Sequence, residues 1–181
     1  MSGPTLKSMS SAVKALGQEP PSAGGRHRRR RVAVVTDEAS LGTAAVAALA
    51  GTSARAPDLR QQTEMRIRHC APPAASVRDF VDLTRACSAP SLEAAVGALA
   101  DDPGCDAVLI ALGTDDPARA TALVGAARRV GRGHPGTMFA IVCPAVRHDR
   151  GHRDHGAADA GEGGHDRGSV LHPGAPPWSE R

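Results

Sequence analysis

Two stretches decide the fold: Val32-Ala-Val-Val-Thr36 and Asp106-Ala-Val-Leu-Ile-Ala-Leu112. Each is a run of small or branched apolar residues without polar alternation, the pattern of a strand buried on both faces. After the first comes the turn Asp37-Glu-Ala-Ser40, then Leu41 to Ala50, an Ala/Leu-rich segment of helical composition ended by Gly51. Strand, tight turn and helix in that order open a βαβ unit. Thr137-Met-Phe-Ala-Ile-Val142 supplies a third buried strand.

Working outward, Arg60 to Cys70 predicts a helix closed by Pro72 and Pro73, and Ser76 to Leu83 a short irregular strand. Ser91 to Ala100 has amphipathic spacing behind Pro90, with Ser91 as N-cap. Pro117 to Val130 predicts a further helix, capped near Asp115 or Asp116 and closed by the glycines from Gly131 to Gly133. Strands separated by such helices imply right-handed crossovers and a mostly parallel sheet covered on both faces, a single α/β domain over residues 32–143. Ligands of such sheets bind outside the carboxyl ends of the strands. The segments to search are therefore Thr36 to Gly42, Asp79 to Arg85 and Gly113 to Asp116.

A chain of 181 residues supports one ordinary core. Its only aromatics are Phe80, Phe139 and Trp178, so the core packs Ala, Val and Leu, and modest stability with some dependence on a partner surface is expected. Charge is uneven. Residues 1–31 carry seven Lys/Arg against Glu19 alone, whereas residues 32–143 carry ten basic and twelve acidic residues. Nucleic-acid binding needs basic residues clustered on a folded face, and here they cluster in Arg26 to Arg31 with no interleaved aromatics. A solvated linker is the simpler reading, and nucleic acid is not an expected partner. The leader, 1–31, has helical spacing from Leu6 to Leu16 and breakers from Gly17 to Gly25, and is expected to be flexible. From Pro144 to Arg181 periodicity stops and aliphatic residues nearly vanish, so a disordered tail is expected. An end read in another frame after a frameshift would give the same change.

Cys70, Cys87, Cys105 and Cys143 are widely spaced with no CxxC pair, which argues against zinc and a disulfide framework. No apolar run approaches the roughly eighteen residues that span a bilayer, so no membrane partner is expected and the chain reads as cytoplasmic. His69 falls in a helix and His134 in a glycine-rich turn. The tail histidines His148, His152 and His155 have ligand-like spacing but no fold to fix them, so no metal site is assigned.

The order of Arg31-Val-Ala-Val-Val-Thr36, Leu41-Gly42, Pro72-Pro-Ala-Ala-Ser-Val77, Val81-Asp-Leu83, Asp101-Asp-Pro-Gly104 and Asp106-Ala-Val-Leu-Ile110 resembles that in NDP-forming acyl-CoA synthetases. These are relatives of succinyl-CoA synthetase, and the same module occurs in synthetase-like bacterial protein acetyltransferases. The match is to the flavodoxin-like ligase domain and covers residues 26–143. The resemblance implies a three-layer flavodoxin-like fold. It also implies a division of labour in which neighbouring parts bind CoA, carry a phosphohistidine and, as an ATP-grasp domain, make or use a nucleotide. The module itself would present a helix N-terminus to the phosphohistidine through a turn of the form Thr-Asn-x-Gly-Gly-x-Gly, where glycines let backbone amides approach phosphate and the helix dipole adds roughly half a positive charge.

Here the turn departs from that pattern. Thr36 matches, but Asp37 replaces the amide, Glu38, Ala39 and Ser40 fill glycine-rich positions, and Gly42 alone remains. Two carboxylates face the place of a phosphate, and unit charges about 4 Å apart repel by roughly 1 kcal/mol in water and more when desolvated. The turn is therefore read as a helix cap, with Asp37 or Ser40 as N-cap and acidic residues that suit the helix dipole. At the second loop Asp79-Phe-Val-Asp-Leu83 stands for Asn-Pro-Val-Asp-Leu, with Asp82 retained and expected to order the loop through backbone amides. The phosphohistidine motif Ser-His-x-Gly is absent, so no catalytic residue is assigned.

Three functions follow as expectations. The first is a stand-alone, degenerate acyl-CoA synthetase-like domain, inactive alone, whose synthetase-like or acetyltransferase partner would supply any CoA or ATP/ADP chemistry. The second is a CoA- or nucleotide-binding regulatory module using Gly113, Thr114 and Asp115. The third is a nucleic-acid contact protein working through Arg26 to Arg31.

Overall fold

A computed structural model describes residues 3–17, 29–144 and 170–171. Its sheet has the order β2-β3-β1-β4-β5-β6, from β1 (Val32–Thr36), β2 (Ser76–Val77), β3 (Val81–Asp82), β4 (Ala107–Ala111), β5 (Met138–Val142) and β6 (Val170–Leu171). Strands β3, β1, β4 and β5 run parallel, while β2 and β6 close the two edges antiparallel. The order of the parallel strands is that of a flavodoxin-like doubly wound sheet, and the fold class is the expected three-layer α/β arrangement. Every residue of β1 and β4 is buried, which is why both appear in the sequence as unbroken apolar runs.

The helices are α1 (Gly3–Gly17), α2 (Ala39–Ala50), α3 (Gln61–Cys70), α4 (Ala89–Ala100) and α5 (Pro117–Gly133). Alternation along the strands sorts them between two cores. Ala33, Val35, Val108, Ile110 and Ile141 face α3, α4 and α5 through Ile67, Leu92, Leu99 and Leu123. Val32, Val34, Leu109, Ala140 and Val142 face α1 and α2 through Met9, Val13, Leu16, Leu41 and Leu49.

Helix α1 changes the reading of a flexible leader over 1–31. Met9, Ala12, Val13 and Leu16 are fully buried against the sheet face that α2 leaves uncovered. The end of α1 is tied down by Arg30, which donates to the Leu16 carbonyl at 2.6 Å, and by Ser53 Oγ, which donates to the Gly17 carbonyl at 2.7 Å. Residues 18–28, with Arg26 and Arg28, lie outside the described residues. Of the tail expected to be disordered, the described part is Pro144 and the aliphatic pair Val170–Leu171, which hydrogen-bonds to the edge of β5 at Phe139 and Ala140. The remaining tail, with its histidines and Trp178, also lies outside the described residues.

Two caps differ from expectation. Helix α4 begins two residues before Ser91, and its N-cap is Ser88, whose Oγ accepts from the Ser91 amide at 3.2 Å. Pro90 falls inside the first turn, where a missing N–H costs no hydrogen bond. Helix α2 is entered through Glu38, which makes no side-chain cap; neither Asp37 nor Ser40 caps it. Asp116 caps α5 by accepting from the Ala118 amide at 2.9 Å.

Candidate functional site

The strand order reverses around β1, with β3 on one side and β4 on the other, so the crevice outside their carboxyl ends is the place for a ligand. Thr36 pairs with Ala111 on β4 and with Asp82 on β3, bringing the three loops together. Thr36, Asp37, Glu38, Gly113 and Thr114 converge there.

Asp37 is the centre of the group. Its side chain is only 2% exposed. One oxygen accepts from the Gly113 amide at 2.6 Å, and the other lies 3.5 Å from the Arg119 guanidinium. The expected helix cap is thus turned inward across the ends of β1 and β4, because an amide and a cation await it there. Glu38 packs its side chain against Gly113, at a spot where a Cβ on that glycine would collide, and pairs with Arg85 at 2.8 Å. Ser40 donates to Glu38 at 2.7 Å. Thr36 Oγ1 donates to the Glu38 carbonyl and accepts from the Glu38 amide, so the turn is held by its own side chains.

Gly42, the last glycine of the turn, serves packing. The ring of Phe80 occupies the space where a Cβ would stand. Asp82 orders its loop by accepting from the Thr84 amide at 2.8 Å, and Thr84 takes a left-handed backbone, φ 59°. Thr114 is buried, and its hydroxyl accepts from the Asp116 amide at 3.3 Å. Asp115 is exposed on the rim. The structure does not bring Asp79 to this crevice. The register puts it before β3, on the outer side of β1 beside Val32, Val34, Val46 and Leu49.

The sequence places Arg85 at the end of a segment to search without giving it a role, and Arg119 was missed. Arg119 carried a signal: it is the third residue of α5, where a cation opposes the helix dipole unless an anion stands against it. Its Nη2 atom is buried and, among the described residues, lies within ion-pair range of Asp37 without making a hydrogen bond. Burial pushes the Cys87 thiol up to about 11, against a smaller opposing pull from Arg119, so it is neutral at pH 7. Among the described residues no group of three or more His, Cys, Asp or Glu is placed to hold a metal ion. Among the same residues no helix is long and apolar enough to cross a membrane.

No protein-family model matches the chain, and no curated protein matches it. Solved structures do. PH0766 from Pyrococcus horikoshii superposes with a TM-score of 0.54 at 19% identity, over 76% of this chain and 31% of that one. The dinucleotide-forming acetyl-coenzyme A synthetase 1 of Ca. Korarchaeum cryptofilum, in complex with phosphate and ADP, gives 0.53 at 17% identity over 74% and 27%. Its apo form gives 0.52 at 16% identity over 78% and 30%. The chain therefore spans less than a third of the length of each of these structures. At such identities the likeness is one of fold: the chain shares the α/β fold of part of each of these structures.

Proposed function

We propose that the chain is a degenerate acyl-CoA synthetase-like domain, without catalysis of its own, that works with a partner protein carrying CoA-binding, phosphohistidine and ATP-grasp parts. That partner is of acyl-CoA synthetase or acetyltransferase type. The observation that carries the reading is the occupation of the crevice at the ends of β1 and β4 by two carboxylates of the chain itself, Asp37 against Gly113 and Glu38 over it. A phosphoryl group entering there meets negative charge in a partly desolvated site. It finds no glycine-rich turn either, since Gly42 is taken up by Phe80.

A CoA- or nucleotide-binding role for Gly113, Thr114 and Asp115 has less support, because Asp37 engages the Gly113 amide and Asp116 engages the Thr114 hydroxyl. The nucleic-acid reading weakens for a similar reason: Arg30 holds the end of α1 and Arg31 is paired with Asp106. CoA and ATP/ADP would enter through the partner.

The test is turnover. The purified chain with acetyl-CoA, ADP and phosphate is expected to form no ATP above a protein-free control. Adding a separately purified protein with the three missing parts is expected to give ATP formation that needs both components. ATP formed by the chain alone, or formation by the partner that the chain leaves unchanged, overturns the reading.

A further inference from the structure

We infer that Asp37 acts as an internal anion, closing a crevice whose remaining groups would otherwise bind a phosphate-class oxyanion. The inference rests on the reading above and adds a cause for it: the crevice is blocked by occupation from within. The groups left when Asp37 is set aside are those of an anion receptor. The Gly113 amide points at the Asp37 carboxylate from 2.6 Å, and the Arg119 guanidinium stands 3.5 Å from its second oxygen. Arg119 is stationed in the first turn of α5, where the helix dipole disfavours a cation and an anion opposite offsets that cost.

The fit of the carboxylate is also incomplete. A planar carboxylate satisfies the amide at 2.6 Å but leaves the buried Arg119 Nη2 with an ion-pair contact and no hydrogen bond. A tetrahedral oxyanion has more acceptor oxygens to offer the same two donors. Room for it comes from the lost carboxylate; Glu38, 26% exposed, stays over Gly113 and is held there by Arg85 and Ser40.

The experiment titrates inorganic phosphate into the full chain, followed by calorimetry and 31P NMR, at constant ionic strength. Wild type is expected to show no saturable binding at millimolar phosphate. Asp37→Ala is expected to bind saturably, at least about tenfold more tightly than wild type, the factor expected from one charge-assisted hydrogen bond. Asp37→Ala combined with Arg119→Leu is expected to lose that binding. Should Asp37→Ala not fold, Asp37→Asn decides, since it keeps the shape and an oxygen for the Gly113 amide while dropping the charge; it is expected to gain weaker but saturable binding that also needs Arg119. A folded Asp37→Ala or Asp37→Asn that binds no better than wild type overturns the inference, as does binding that survives Arg119→Leu. Wild-type ATP formation would sink the functional reading while leaving this titration to be judged by itself.

Discussion

The strand pair β1–β4 has an Asp–Arg pair at each end, and the two are built differently. At the amino end Arg31 grips Asp106 with two side-chain bonds, at 2.9 and 2.7 Å, while its own backbone amide donates to the same carboxylate at 2.8 Å. A spare guanidinium hydrogen goes to the Pro103 carbonyl. At the carboxyl end Asp37 is far more buried, 2% exposed against 30% for Asp106, yet its guanidinium partner stands off at 3.5 Å and Arg119 Nη2 stays unbonded. The first pair has the geometry of a staple between strands. The second holds charge in a buried place without completing the bonds, the geometry on which the inferred anion crevice rests. Geometry, not the presence of an ion pair, separates the two.

The largest effect that could break this contrast is at Asp37. Asp37→Ala leaves a buried amide and a half-buried guanidinium without their anion, and is expected to cost about 3 kcal/mol of stability in urea unfolding. A loss below that of Arg31→Ala would mean that completed bonding outweighs burial in setting what each pair contributes to stability. Next comes Gly42→Ala, which drives a methyl group into the Phe80 ring and is expected to cost about 2 kcal/mol. Pairing it with Phe80→Leu should recover much of the loss; no recovery would mean that the glycine serves the turn and not the packing.

Arg31→Ala is expected to cost about 1 kcal/mol, since the backbone bond to Asp106 survives and the side chains are partly solvated. The smallest effect belongs to an exposed reference pair. The Arg66 guanidinium, and then His134, hold the Asp101 carboxyl below its ordinary value of 3.8. A carboxyl depressed in the folded state stabilises above its ordinary range, and the contribution fades as pH falls through the lower folded value. Because Asp101 is half exposed, solvent screening keeps that contribution to about 0.5 kcal/mol or less. Urea unfolding of Asp101→Asn compared with wild type should show a deficit above about pH 4 that disappears at lower pH.

The parts of the fold that were legible in the sequence were those set by local pattern. Val32–Thr36 and Ala107–Ala111 announce themselves because burial on both faces removes the polar alternation. The helix of Leu6 to Leu16 was visible as spacing, but its docking was not, because that depends on how much of the sheet α2 fails to cover. A count of helices per face would have called for it: three pack on one face, and α2 alone cannot cover β4 and β5 on the other. The start of α4 was misplaced because Pro90 resembles a stop, although a proline in the first turn is also a start. At the candidate site the departure from a glycine-rich turn could be read directly, but not where Asp37 points. Its partners, Gly113 and Arg119, lie far along the chain, and only the cation in the first turn of α5 hinted at an anion waiting elsewhere.

The hairpin of β2 and β3 bears on how the protein behaves in a crowded solution. A parallel sheet ending on β3 would present unpaired amides and carbonyls to any neighbouring chain. Instead the edge is a strand only two residues long, running against the grain of the sheet, preceded by Pro72 and Pro73 and turned at the charged Arg78 and Asp79. Such an edge gives a second sheet little to extend, so self-association through strand addition is blunted on that side of the molecule.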